Sequence, residues 1–143
     1  MSVFERIHHI AILAGGIDAD LDEYTAVYEE HFEMERSEMV YFEEDNCEVA
    51  LYSVGGTIIE FTSPTGPSGW HYEHLQEHGP GFFHIAFEVD DIERRRQQLE
   101  ELGYNFLDEI RDGIDWKITT LDYHDTPLPM QIVEDSRRIE DRQ

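Results

Sequence analysis

The tripeptide HIA opens two strand-like runs, HIAI at residues 9–12 and HIAFEVDD at residues 84–91. His9 and His84 stand 75 positions apart, and two polar residues central to later apolar runs, Glu60 in TIIEFTS and Gln131 in LPMQIVE, stand 71 apart. Nearly equal spacings of this kind mark a duplicated supersecondary unit, since each copy repeats one order of elements. Whatever module residues 6–64 build, residues 82–135 should build again.

Local signals describe that module. Ile7 to Ala14 alternates as a strand and stops at Gly15-Gly16; a helix capped by Asp18 is expected next, with Leu21, Tyr24, Val27, Tyr28 and His31 along one stripe. Strands are expected at Glu38–Phe42, Cys47–Val54 and Thr57–Ser63, the last two joined by a Gly55-Gly56 hairpin turn. The PTGPSG segment at 64–69 reads as a loop, and Trp70–His78 as a short helix stopped by Gly79 and Pro80. The pattern then restarts with a strand at Phe82–Val89 and a helix capped by Asp91, carrying Ile92, Leu99 and Leu102 as far as Gly103. Three strands should follow, at Tyr104–Ile110, Trp116–Leu121 and Leu128–Val133. The expected fold is α+β: one domain of two tandem βαβββ modules, with a linker at 65–81 and a polar tail at 136–143. The closing EDSRRIEDRQ is expected to fray.

Strand parity assigns the polar residues to faces, because alternate side chains share one side of a sheet. Phe83, Ile85, Phe87 and Val89 should pack on the helices, leaving His84, Ala86 and Glu88 opposite. By the same rule His9 and Ala11 oppose Ile10 and Ile12, Glu48 opposes Val49 and Leu51, and Glu60 opposes Ile59 and Phe61. His9, Glu48, Glu60 and His84 are therefore expected on one face, with Ala11 and Ala86 leaving room above it. A wet sheet face explains any one such residue without function. Two histidines and a carboxylate at repeat-equivalent positions, with Gln131 at the fourth, instead form a nitrogen and oxygen ligand set suited to one divalent metal such as Zn, Co, Ni, Mn or Fe.

Charge narrows the partners. Thirty-three acidic residues face ten Lys and Arg, a formal net charge of −23, and the main basic cluster is Arg94-Arg95-Arg96. Nucleic acid is not expected as a partner, because its binding needs a basic surface to neutralise phosphates. So large a charge also repels itself, a load that salt screens, which suits a salt-rich cytoplasm. Cys47 is the single cysteine, so no intrachain disulfide forms and a reducing compartment fits. MSVFERIHHI lacks the features of a signal peptide and no apolar run reaches membrane-spanning length, so a cytoplasmic protein without membrane contact is expected.

IHHIAI at 7–12, GGTIIEFTSP at 55–64, GPGFFHIAFEVDDI at 79–92 and MQIVE at 130–134 together resemble the vicinal oxygen chelate superfamily, or glyoxalase fold, over residues 6–135. GGTIIEF and HIAFEVDDI look most like methylmalonyl-CoA epimerase and its relatives, with glyoxalase I next. The resemblance implies an eight-stranded cup-shaped sheet with a metal on its concave face. The family's ligand order falls on His9, Glu60, His84 and Gln131, and the epimerase's additional proton-transfer carboxylate falls on Glu48. Gln131 stands where the family has glutamate: an amide oxygen can coordinate but cannot accept a proton at neutral pH. The epimerase's glycine-rich approach to the last strands is replaced by RDGIDWKITTLDYHDTPLP.

The resemblance implies a metal-dependent isomerase, epimerase or lyase that stabilises an enolate, with Glu48 as the catalytic base. Glu88, His71, His74 and His78 are weaker candidates, and Arg94 to Arg96 are expected to decorate the second module's helix. The acidic chain disfavours coenzyme A or glutathione as substrate and suits a small oxygen-rich acid or ketone. Two other classes compete: an Fe(II) dioxygenase built on two histidines and one carboxylate, and a drug-sequestering binding protein whose acidic cup attracts a cation. A homodimer acting on a small molecule is expected.

Overall fold

The computed structural model describes residues 3–17 and 19–142. Eight strands hydrogen-bond in the order β2-β3-β4-β1-β5-β8-β7-β6. They are β1 (Arg6–Leu13), β2 (Arg36–Phe42), β3 (Cys47–Val54), β4 (Thr57–Pro64), β5 (Gly81–Glu88), β6 (Arg111–Asp112), β7 (Lys117–Thr120) and β8 (Met130–Glu134). Among the described residues three α-helices accompany them: α1 (Leu21–Phe32), α2 (Trp70–His78) and α3 (Ile92–Glu101). The α+β class and the order of elements agree with the duplicated module. The chain divides into two compact units, one built on residues 10–83 and the other on residues 84–141 with the beginning of β1 up to His9.

In the first unit β2, β3 and β4 form an antiparallel meander; the β3–β4 register runs unbroken from Cys47↔Pro64 to Val54↔Thr57, while the β2–β3 ladder shifts between Arg36 and Glu38. The expected cap at Asp18 lies outside the described residues. The residue before the helix is Asp20, in extended conformation, and its side chain accepts the Glu23 backbone N–H, satisfying one of the first-turn amides left without helical partners. Helix α1 covers Ala50 and Tyr52 of β3 and Phe61 of β4. Tyr28 stacks on Phe61 with ring centroids 4.8 Å apart, and the Tyr52 hydroxyl donates to Glu29 Oε1 at 2.6 Å. A second cluster joins Ala11 and Leu13 to Leu75, Phe83 and Trp70, so the space expected above Ala11 is filled by α2.

In the second unit β8 runs parallel to β5 and antiparallel to β7. Asp91 caps α3 as expected, accepting the Arg94 backbone N–H. Ile92 and Leu99 pack with Val89, Leu121 and Ile132. Two expectations fail here. Residues 104–110 do not form a strand: a single bridge, Phe106↔Leu121, stands there, and β6 begins only at Arg111. The reason is Asp108, whose carboxylate accepts the Thr120 backbone N–H and the hydroxyls of Thr119 and Thr120, taking a ladder donor that a neighbouring strand would use. Nor does the polar end simply fray, because Asp135 is 8% and Arg142 5% exposed.

Candidate metal-binding site

β1 places two adjacent histidines in the interior, His8 and His9, each 1% exposed. Imidazoles at such depth need polar partners, since an unpaired buried polar group costs about 1–3 kcal/mol. A chain of contacts supplies them. His8 Nε2 lies 2.8 Å from Asp135 Oδ2, His8 Nδ1 lies 2.8 Å from His9 Nδ1, and His9 Nε2 lies 3.2 Å from Gln131 Oε1. The ring of Trp116 packs edge-on against His8, with centroids 4.6 Å apart.

Proton placement follows from the ends of this chain. Arg137 donates from Nη2 to Asp135 Oδ2 at 2.8 Å and from Nε to Oδ1 at 3.0 Å, compensating the carboxylate's charge. An ionised carboxylate only accepts, so His8 Nε2 carries a hydrogen. A single hydrogen lies between His8 Nδ1 and His9 Nδ1, and His9 Nε2 faces the amide oxygen of Gln131.

The Gln131 amide is oriented from its other end. Its Nε2 donates to Thr120 Oγ1 at 3.2 Å, and that hydroxyl donates to Asp108 Oδ2 at 3.2 Å. Arg111 and the Thr119 hydroxyl also donate to Asp108. Exchanging the amide's oxygen and nitrogen would leave two acceptors, Oε1 and the Thr120 hydroxyl oxygen, against each other. Two atoms able to ligate a cation, His9 Nε2 and Gln131 Oε1, thus converge in a buried place.

His84 joins this group. The register pairs Ala86 with Gln131 across β5 and β8, and His84, two residues earlier, shares that face. The His9 and His84 rings have centroids 5.3 Å apart, and a ring nitrogen of each lies within 4.8 Å of the other. The expected openness of this face is not found: His84, Ala86 and Glu88 are buried, whereas Ile85 and Phe87 on the nominal core face are only partly so. The donor set, two imidazole nitrogens and an amide oxygen, fits a divalent transition ion.

Glu60 and Glu48 lie in the other unit and are separated by strand register. Glu60 pairs with Leu51, and both point away from the α1-packed face of Ala50, Tyr52 and Phe61. Glu48 pairs with Ser63 and lies two residues from Ala50, which puts it on the α1 side. The expectation that Glu48 shares Glu60's face is therefore corrected. Val49 and Leu51 looked like the core side because they are larger aliphatics than Ala50. The small Ala50 instead makes room for the ring-rich α1, and Tyr52 joins that packing through its hydroxyl.

The residues that sequence reasoning missed are His8, Asp135, Thr120 and Asp108. His8 was visible beside His9 in IHHI, where a histidine at an expected core position demands a buried partner. Asp135, 127 positions away, carries no local signal.

The fold and this site define a class. The chain belongs to the Glyoxalase/Bleomycin resistance protein/Dioxygenase superfamily, whose family model matches residues 5–120. Among solved structures it is similar to methylmalonyl-CoA epimerase from Mycobacterium tuberculosis, with TM-score 0.86 and 22% identity, over 98% of this chain and 94% of that one. It is also similar to a Streptomyces coelicolor methylmalonyl-CoA epimerase variant in complex with 2-nitronate-propionyl-CoA, with TM-score 0.83 and 24% identity, over 94% and 99% of the two chains. A hypothetical protein from Bacillus halodurans C-125 matches with TM-score 0.84 and 20% identity, over 93% and 96%. At these identities the likeness establishes the fold. No curated protein sequence matches the chain. Among the described residues no helix is long and apolar enough to cross a membrane.

Proposed function

We propose that the protein is a metal-dependent enzyme, an isomerase, epimerase or lyase, that takes a small carbonyl or carboxylate substrate. His9, His84, Glu60 and Gln131 would hold one divalent ion. The observation that carries this reading is the buried convergence of His9 Nε2 and Gln131 Oε1, 3.2 Å apart, with His84 beside them. Glu60 is included for its place at the centre of β4, on the face away from α1, and for its match to the family's ligand order. The ion supplies Lewis acidity at a substrate oxygen, which stabilises negative charge next to a carbonyl.

The protein's own residues set the rest. Gln131 coordinates without gaining or losing a proton, so proton transfer at that position is replaced by ligation alone. Glu88 is 5% exposed on the His84 face, but it lies four residues further, about 13 Å along the strand. That is too far for one small substrate bound at the histidines to reach both. A substrate bearing two oxygens suits this set better than a long phosphorylated carrier, given the net charge of −23.

A second reading, an Fe(II) dioxygenase, is favoured by the amide at 131 and the α1-side placement of Glu48, since neither position then offers a base beside the ion. Two histidines and one carboxylate are its ligand set.

Elemental analysis of the purified protein, with the His9→Ala/His84→Ala double variant as control, tests the site. One ion per chain, lost in the variant, is expected; a wild type that stays metal-free after reconstitution removes the reading. Solvent-deuterium exchange into a panel of small 2-oxo acids, 1,3-dicarbonyls and methylmalonyl-CoA, run beside oxygen consumption, separates the two chemistries.

A further inference from the structure

We propose that two carboxylate-anchored relays, Asp135–His8 acting on His9 and Asp108–Thr120 acting on Gln131, are the positioning devices that hold these two ligands in their metal-accepting orientations. The inference rests on the metal reading above and concerns residues outside its ligand set.

The first relay acts on ring orientation. An imidazole turns Nε2 towards an ion only while Nδ1 is held by another partner. His8 Nδ1, 2.8 Å from His9 Nδ1, is that partner, and His8 is itself held through Nε2 by Asp135 at 2.8 Å. Arg137 keeps the carboxylate in place, spanning Asp135 and Asp115 with contacts of 2.8 and 3.2 Å. Trp116 packs edge-on against His8, leaving its ring little freedom to turn.

The second relay acts on an amide rotor. Gln131 has donor and acceptor ends of equal size, and only its hydrogen bonds decide which faces His9. The Thr120 hydroxyl donates to Asp108 and therefore meets the amide through its oxygen, which selects the NH2 end. Asp108 is itself pinned by the Thr120 backbone N–H at 2.8 Å. Arg96 Nη1 donates to the Asp108 backbone carbonyl at 2.6 Å and to the Thr119 hydroxyl at 2.7 Å, anchoring the loop that carries Asp108.

Three variants distinguish positioning from mere packing. His8→Phe keeps a ring at the site and removes the partner of His9 Nδ1; Thr120→Val keeps the shape and removes the hydroxyl; Thr120→Ser keeps the hydroxyl. The first readout is 15N NMR of the histidine rings in Zn2+-loaded protein. Wild-type His9 is expected to bind through Nε2 with its hydrogen on Nδ1, and His8→Phe should lose that pattern. The second readout is Zn2+ affinity by chelator competition. His8→Phe and Thr120→Val should each weaken it about 10- to 100-fold, with Thr120→Ser close to wild type. His9 bound through Nδ1 in the wild type, or an unchanged Nε2-bound pattern in His8→Phe, overturns the first relay. Equal affinities for Thr120→Val and wild type, or equal losses for Val and Ser, overturn the second. Wild type that binds no Zn2+ refutes the metal reading and with it the ligand role of both relays, whereas wild type that binds Zn2+ with both variants unaffected overturns the relays alone.

Discussion

Leu51, not Glu48, is the β3 residue that lies beside Glu60, its direct partner across the β3–β4 ladder. A one-residue step along a strand exchanges faces, so this single pairing removes Glu48 from the surface that carries Glu60. It also leaves the two carboxylates with separate roles to test.

Glu48→Gln should leave metal content at wild-type level and turnover within about two-fold, because the side chain sits on the α1 side of β3. Glu60→Gln should lower metal occupancy by at least ten-fold, the usual effect of losing a charged ligand or its support. Metal analysis of the two variants under identical reconstitution checks the contrast. A metal-loaded Glu48→Gln protein with abolished turnover would return Glu48 to the chemistry.

Phe61 carries the α1 packing. It is 1% exposed and touches the rings of Tyr24, Tyr28 and Tyr52. Phe61→Ala should cost about 3–5 kcal/mol of stability through lost burial and a residual cavity. Tyr52→Phe keeps the ring and removes the hydroxyl with its hydrogen bond to Glu29, so about 1 kcal/mol is expected. Urea unfolding of both variants measures the ratio.

His74 gives the fold a pH dependence. Burial, then the neighbouring His78, hold its pKa below the ordinary 6.5, while the Phe82 carbonyl and Glu77 act weakly the other way. The unfolded chain therefore takes up this proton first as pH falls. The associated stability is present above about pH 6.5 and is lost as pH drops through that value towards the lower folded pKa. Melting temperatures measured from pH 7.5 to 5.5 should fall less steeply for His74→Gln than for wild type. The partial exposure of His74 keeps the difference small.

Salt should stabilise the protein. With a net charge of −23, the compact state concentrates repulsion that the unfolded chain relieves, and molar salt shortens the screening length to about 3 Å. The melting temperature is expected to rise between dilute buffer and 1 M KCl in metal-free protein. A flat profile would show that local ion pairs such as Arg95–Asp90 at 2.9 Å already offset the repulsion.

The duplication, the α+β class and most element boundaries were determined by the sequence alone, because they depend on local periodicity and turn chemistry. Cys47–Val54 and Trp70–His78, for instance, form over the residues those signals mark. The pairing of His9 with His84 was legible for the same reason, as a repeated position in a repeated unit. The face of β3 was decided only by tertiary structure. Parity says which residues share a side, but not which side a helix will cover, and α1 chose Ala50 and Tyr52 over Val49 and Leu51. The failure of residues 104–110 as a strand and the relays behind His9 and Gln131 are tertiary in the same sense. Asp108 meets Thr120, and Asp135 meets His8, across separations at which composition and spacing carry no information. Such buried polar groups find their partners only when the chain closes around them and removes the water that would otherwise have served.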